Sequence, residues 1–165
     1  MGSGKSTVSR LLAALLGCAA VDTDELVERD KAMTVAEVFA GVGEAAFREA
    51  ESSAIAGLGQ VAGGLVVSVG GGAVKIEANR RAMRAIGPVV WLRAQPATLA
   101  HRVGGGEGRP LLAGAGTTVE EQLGRLAAER APLYEEVANV VVDVDDLSPE
   151  EVAELVLAEV TGFAG

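Results

Sequence analysis

The chain opens on Met1-Gly2-Ser3-Gly4-Lys5-Ser6-Thr7, a run of residues suited to holding phosphate. Gly4-Lys5-Ser6 ends the pattern G-x-x-x-x-G-K-S/T, in which glycines let backbone N–H groups turn inward on phosphate oxygens while the next helix adds its positive dipole end. In that pattern the lysine, here Lys5, reaches the β- and γ-phosphates, and the Ser6 hydroxyl ligates Mg²⁺. Gly2, Ser3 and Thr7 complete the expected wrap around the nucleotide, so ATP with Mg²⁺ is the expected ligand pair. The pattern's first glycine would lie two positions before Met1, and a hydrophobic strand is expected to feed such a loop. Five or six aliphatic side chains of such a strand would contribute about 8–15 kcal/mol on burial. The expectation is therefore that the natural product starts upstream and that Met1 is an internal methionine.

Other residues of chemical interest follow in order. Asp22 and Asp24 sit where a strand is expected to end and a helix to begin; helix capping by a short acidic side chain explains one of them more easily than both. No acidic residue ends the apolar run 65–69, which leads instead into Gly70-Gly71-Gly72, so Asp22 is the better candidate for Mg²⁺. Three glycines after a strand form either a loose turn or a place where backbone N–H groups approach a ligand, since ligands of open parallel sheets sit beyond the carboxyl ends of the strands. Arg48 follows Ala46 and Phe47 on a helical stretch, with Glu51 three positions on; by itself that pair reads as a surface ion pair. The segment 104–116, GGGEGRPLLAGAG, is too rich in glycine for a regular element. Its embedded Arg109 and apolar residues favour a mobile lid over a plain surface loop.

These residues need a scaffold to position them, and the apolar pattern supplies an α/β one. Strand-length runs at 18–21, 65–69, 89–92 and 140–144 are rich in β-branched residues without strict polar alternation, as in parallel strands covered on both faces. Between them lie helical stretches at about 6–16, 43–60, 76–86, 96–103, 118–137 and 148–161. Thr34 with Glu37 and Ser148 with Glu151 fit capping boxes, and Pro149 takes a first helical position. Trp91 falls in the third strand and reads as core. With 165 residues, 49% of them hydrophobic, the chain makes one domain with a sizeable core. Fourteen Lys and Arg against 23 Asp and Glu give a net charge of -9, which argues against nucleic acid or a membrane surface as partner. No run reaches the roughly 20 apolar residues of a membrane span, and the single cysteine, Cys18, forms no internal disulfide. A cytoplasmic location is the expectation.

Taken in order, Lys5-Ser6, Asp22-Thr23-Asp24, Phe47-Arg48-x-x-Glu51, Gly70-Gly71-Gly72-Ala73-Val74, Arg109-Pro110-Leu111-Leu112 and Arg130-Ala131-Pro132-Leu133-Tyr134 closely resemble shikimate kinase. The likeness covers essentially the whole chain and joins individually weak motifs in one specific order. It implies a three-layer P-loop kinase fold like that of nucleoside monophosphate kinases, with a parallel sheet in the order 2-3-1-4-5, so that the strand lacking here would be the first in sequence and the central one in space. It implies a single domain over 1–165, substrate-binding helices at about 31–60 and a lid at about 104–116. Shikimate and ATP are the implied partners of a monomer. Arg48 and Arg130 would converge on the substrate carboxylate, with Glu51 orienting Arg48; Gly70, Gly71 and Gly72 would approach the same substrate. Val35, Phe39 and Phe47 would line its ring pocket, although their spacing suits a helix core equally. Asp24 would face the acceptor hydroxyl, Asp22 would hold Mg²⁺ through water, Arg102 would stack on adenine unless it is a plain surface arginine, and Arg109 would arrive on the lid. Rival readings are another small-molecule P-loop kinase, such as a gluconate or nucleoside monophosphate kinase, and a nucleotide-binding protein without catalysis.

Overall fold

The structure is a computed structural model that describes residues 2–61, 63–104 and 117–162. Of the expected lid only Gly104 is among them, so Arg109 lies outside the described residues.

Helix α1 (Lys5–Leu16) leads into strand β1 (Ala19–Asp22), and three helices follow, α2 (Thr23–Lys31), α3 (Val35–Gly41) and α4 (Gly43–Leu58). Strand β2 (Leu65–Ser68), a short 3-10 turn (Ala73–Lys75) and α5 (Glu77–Ile86) come next. Then β3 (Val90–Arg93), α6 (Pro96–Val103), α7 (Val119–Val137), β4 (Val140–Asp143) and α8 (Pro149–Thr161) complete the order. The strands fall within one residue of their sequence expectation. Local chemistry explains many of the helix ends. Gly17 closes α1 at a φ of 65°, with its N–H on the carbonyls of Ala13 and Ala14, a left-handed turn that glycine takes without strain. Both expected capping boxes form, at Thr34 and Ser148, and a third forms at Thr118 with Glu121.

Pairing is parallel throughout. Ala19 to Asp22 of β1 register against Leu65 to Ser68 of β2, and Val90 to Arg93 of β3 against Val140 to Asp143 of β4. Among the described residues the strands form two separate two-stranded sheets, with no described strand between β2 and β3. One apolar cluster joins α1, β4 and α8 through Val8, Leu12, Val142, Val152 and Val156. A second joins α2, α3 and α4 through Val27, Val38 and Phe47. Trp91, expected in the core, is half-buried instead: its ring stacks on Tyr134 with centroids 5.2 Å apart and borders a cavity between β2 and β3.

Residues 2–6, the loop before α1 and its first turn, touch both β1 and α6. Ser6 bonds to Asp22 at the end of β1, while the Cα of Gly2 packs so tightly on α6 that a side chain there would come within 2.9 Å of Val103 and 3.0 Å of the Leu99 carbonyl. That convergence builds the site.

Candidate active site

The phosphate loop enters α1 through Gly4, whose φ of 84° is left-handed and suits glycine. Gly2 has a φ of 77°. Lys5 stands half-buried on the first turn of α1, followed by exposed Ser6 and Thr7, and Ser3 lies half-buried before them. The N-terminal N–H groups of α1 thus point towards this loop, a ready site for an anion.

Asp22 does two things at once. Its Oδ1 accepts from the Asp24 N–H at 3.0 Å, capping α2, and its Oδ2 accepts from the Ser6 hydroxyl at 2.7 Å. The capping reading therefore holds for Asp22 and leaves Asp24 free of that duty. Asp24 instead looks towards Gly70: a Cβ built on that glycine would sit 3.0 Å from Asp24 Oδ1. Burial, and after it the charge of Asp22, pushes the Asp24 carboxyl above its ordinary pKa, against the opposing pull of Lys5. A carboxylate of raised basicity is a better proton acceptor.

Helix α4 supplies the next layer. Arg48 Nη1 donates to Glu51 Oε2 at 2.8 Å, and its other face meets Glu44 Oε1 at 3.2–3.3 Å. Exposed ion pairs contribute little, but here the Glu51 side chain is 0% exposed and that of Arg48 is 15% exposed. Burial raises the Glu51 pKa, with Arg48 as the main opposing influence. Phe47 and Phe39 lie under the guanidinium, 5.2 and 6.0 Å from it, and Phe47 also packs in the second core cluster.

The turn 70–72 is pinned from several sides. The Gly70 N–H donates to the hydroxyl of fully buried Thr23 at 2.9 Å, and the Gly71 carbonyl accepts from the Tyr134 hydroxyl at 2.7 Å. A side chain at Gly70 would collide with Glu51 Oε1, and one at Gly72 with the Arg48 guanidinium. Arg130 is 6% exposed on α7, with its Nη1 about 3.5 Å from where a Gly71 side chain would begin. Two buried polar atoms in this region lack a described partner, Glu51 Oε1 and Arg130 Nε. Burial also raises the Tyr134 pKa, against the pull of Arg130.

Thus Asp24, Arg48 and Arg130 gather around Gly70, Gly71 and Gly72, next to Lys5, Ser6 and Asp22. Arg102 stands elsewhere: exposed at the end of α6, it donates to the carbonyls of Val144 at 2.7 Å and Asp145 at 3.2 Å. Thr23 and Tyr134 were not singled out by the sequence as site residues, although both lie within the quoted motifs.

The profile of the shikimate kinase family matches residues 1–161. The chain belongs to the shikimate kinase family. A shikimate kinase of Symbiobacterium thermophilum is 46% identical over 160 residues, covering 92% of this chain and 87% of that protein. One of Limosilactobacillus fermentum is 40% identical over 159 residues, covering 96% and 90%. Among solved structures, shikimate kinase from Acinetobacter baumannii in complex with shikimate superposes with a TM-score of 0.92 at 32% identity, over 99% of this chain and 89% of that one. The enzyme from Aquifex aeolicus gives a TM-score of 0.83 at 30% identity, over 99% and 94%. Membership of this family favours shikimate kinase, an ATP-dependent transferase, over the gluconate kinase and non-catalytic readings, and the α/β fold with parallel strands agrees with it.

Proposed function

We propose that this chain transfers the γ-phosphoryl group of ATP to the 3-hydroxyl of shikimate, giving shikimate 3-phosphate and ADP. The observation that carries the reading is the meeting of Asp24, the buried Arg48–Glu51 pair and buried Arg130 around the glycine turn 70–72, beside the phosphate loop. Two guanidinium groups against a glycine backbone suit a planar carboxylate, which accepts bidentate hydrogen bonds from arginine. Glu51 fixes Arg48 for that contact, and Tyr134 and Thr23 hold the turn in place. Asp24 aligns the acceptor hydroxyl and takes its proton as the new bond forms.

Lys5 and the backbone of Gly2, Ser3 and Gly4 hold the phosphates, and phosphoryl transfer needs such positioning and charge neutralisation more than covalent help. The donor set also fits Mg²⁺. Ser6 Oγ and Asp22 Oδ2 are hard oxygen donors 2.7 Å apart, and no group of three His, Cys, Asp or Glu able to hold a metal occurs among the described residues. Few protein oxygens, with substrate phosphates and water completing the shell, is the usual arrangement for this ion. When bound, it would neutralise charge on the β- and γ-phosphates. Arg109, which lies outside the described residues, adds a further cation in this reading. In this reading Arg102 stacks on the adenine from the end of α6, where it also donates to the carbonyls of Val144 and Asp145. The reading keeps the chain monomeric and cytoplasmic, with its single cysteine free.

Phosphorus NMR of the product from ATP and shikimate tests the assignment. A phosphomonoester coupled to the proton on C3 is expected, and formation of ADP with inorganic phosphate alone would overturn it.

A further inference from the structure

Every carbonyl of the glycine turn is taken. That of Gly70 accepts from the Ala73 N–H at 3.0 Å, that of Gly72 from the Lys75 N–H at 3.1 Å, and that of Gly71 from the Tyr134 hydroxyl at 2.7 Å. The first two bonds make residues 70–75 one unit, so the glycines sit where the 3-10 turn puts them. A turn of three residues supplies few donors of its own, and α5 adds them from outside. Buried Asn79 donates from Nδ2 to the Ala73 carbonyl at 3.2 Å, and Arg80 donates from Nη1 to the Val74 carbonyl at 2.9 Å. Carbonyls in such a place need partners.

Arg80 reaches further than Asn79. Its Nε donates to Glu136 Oε1 at 3.1 Å, on the last turn of α7, the helix that carries Arg130. One guanidinium thus spans the glycine turn and α7, the two elements that would close on an acceptor carboxylate. Its planar fork holds both bonds at a fixed angle, which a lysine on a flexible stem does not. The Arg80 side chain is 12% exposed and that of Glu136 47% exposed. Helix α7 also needs a brace at this point. Pro132 lies inside it and has no N–H to give the Ala128 carbonyl, so a helical bond is missing between Arg130 and the last turn. Lys75 and Glu129 meet across the same two elements at 2.8 Å, but both are exposed, and such pairs contribute little. Arg80 is not among the side chains nearest Gly70, Gly71 and Gly72.

We infer that Arg80 is a positioning residue of the acceptor site: its guanidinium sets the distance between Arg130 on α7 and the glycine turn, so that both meet the acceptor carboxylate together. It acts through Val74 and Glu136 and not on the acceptor itself. The inference rests on the proposed reaction and deepens its acceptor site.

Steady-state kinetics of Arg80→Lys, Arg80→Met and Glu136→Ala test it, with Arg81→Met as control. Arg81 is the next residue in sequence but stands exposed and pairs with Glu77 within α5. KM for shikimate is expected to rise about tenfold in both Arg80 variants, the scale of one lost hydrogen bond to a charged group, and at least about threefold in Glu136→Ala. For all three, kcat should stay within about twofold and KM for ATP should not move. The control should match the parent. Glu136→Ala decides by sign: taking a carboxylate from a chain of net charge -9 favours an anionic ligand through the field alone, whereas losing the brace weakens its binding. Glu136 stands at the surface, so this variant keeps the test sharp even where Arg80→Met fails to fold. A KM for shikimate at or below the parent's in Glu136→Ala overturns the inference. So does a parental KM in Arg80→Lys, or a lower melting temperature of the Arg80 variants with KM unmoved, which would make Arg80 a stability residue only. Failure of the parent itself to phosphorylate shikimate overturns the acceptor reading, and this inference with it.

Discussion

Replacing Arg48 with alanine should cost far more stability than the loss of a surface ion pair. Glu51 is 0% exposed and Arg48 15% exposed, and their 2.8 Å contact is the one described bond of the Glu51 carboxylate. Removing one partner of such a pair leaves a buried charge uncompensated, which costs about 3–5 kcal/mol. For a chain of this size each kcal/mol moves the melting temperature by about 2–4 °C, so Arg48→Ala should melt about 6–20 °C lower. Adding Glu51→Gln removes the stranded charge and should recover a good part of that loss, about half or more. The pH dependence has a definite sign. Burial already raises the Glu51 pKa with Arg48 opposing it, so without Arg48 it rises further. A carboxyl with a raised folded pKa penalises folding as pH climbs through that value and not below its unfolded one. Circular dichroism melts should therefore give a larger deficit for Arg48→Ala at about pH 8 than at about pH 5. A melting temperature within about 2 °C of the parent at the higher pH, or no rescue by Glu51→Gln, would refute the reasoning.

The same logic makes Asp24→Asn a stabilising change: its carboxyl pKa is raised by burial and by Asp22, so the neutral amide should melt higher than the parent above neutral pH while turnover collapses. Thermal melts and ADP release on one preparation check both halves. Tyr134→Phe removes the 2.7 Å bond to the Gly71 carbonyl; the expected loss is about 0.5–1.5 kcal/mol of stability, with KM for shikimate raised more than kcat is lowered in steady-state assays. Arg109→Ala should cut turnover more than shikimate affinity, the reverse of Arg48→Ala, and calorimetric titration with shikimate beside rate measurements separates the two; equal losses of affinity would count against the division of roles.

Features written in neighbouring residues were the legible ones. The capping boxes of Thr34 and Ser148 need residues only three apart, and apolar runs of strand length locate the four described strands to within one residue. Arg48 and Glu51, one turn apart, could be paired on paper, yet their burial depends on Phe39, Phe47 and the turn at Gly70, which no local pattern reveals. Thr23 binds a backbone group 47 residues away and Tyr134 one 63 residues away. Such contacts arise only when parallel strands bring their carboxyl ends together. Asp22 shows why weighing two roles against each other misleads: one oxygen caps a helix while the other meets Ser6. Trp91 looked like core because its strand is apolar, and it is half-buried because its strand borders a cavity.

The central claim is that the pocket of Asp24, Arg48 and Arg130 selects shikimate as phosphoryl acceptor. Coupled-assay ADP release from ATP, measured in parallel with shikimate, gluconate and nucleoside monophosphates, tests it most directly. Acceptor-dependent release is expected with shikimate alone, lost in Asp24→Asn. Release that is indifferent to shikimate, or faster with gluconate or a nucleoside monophosphate, would contradict it.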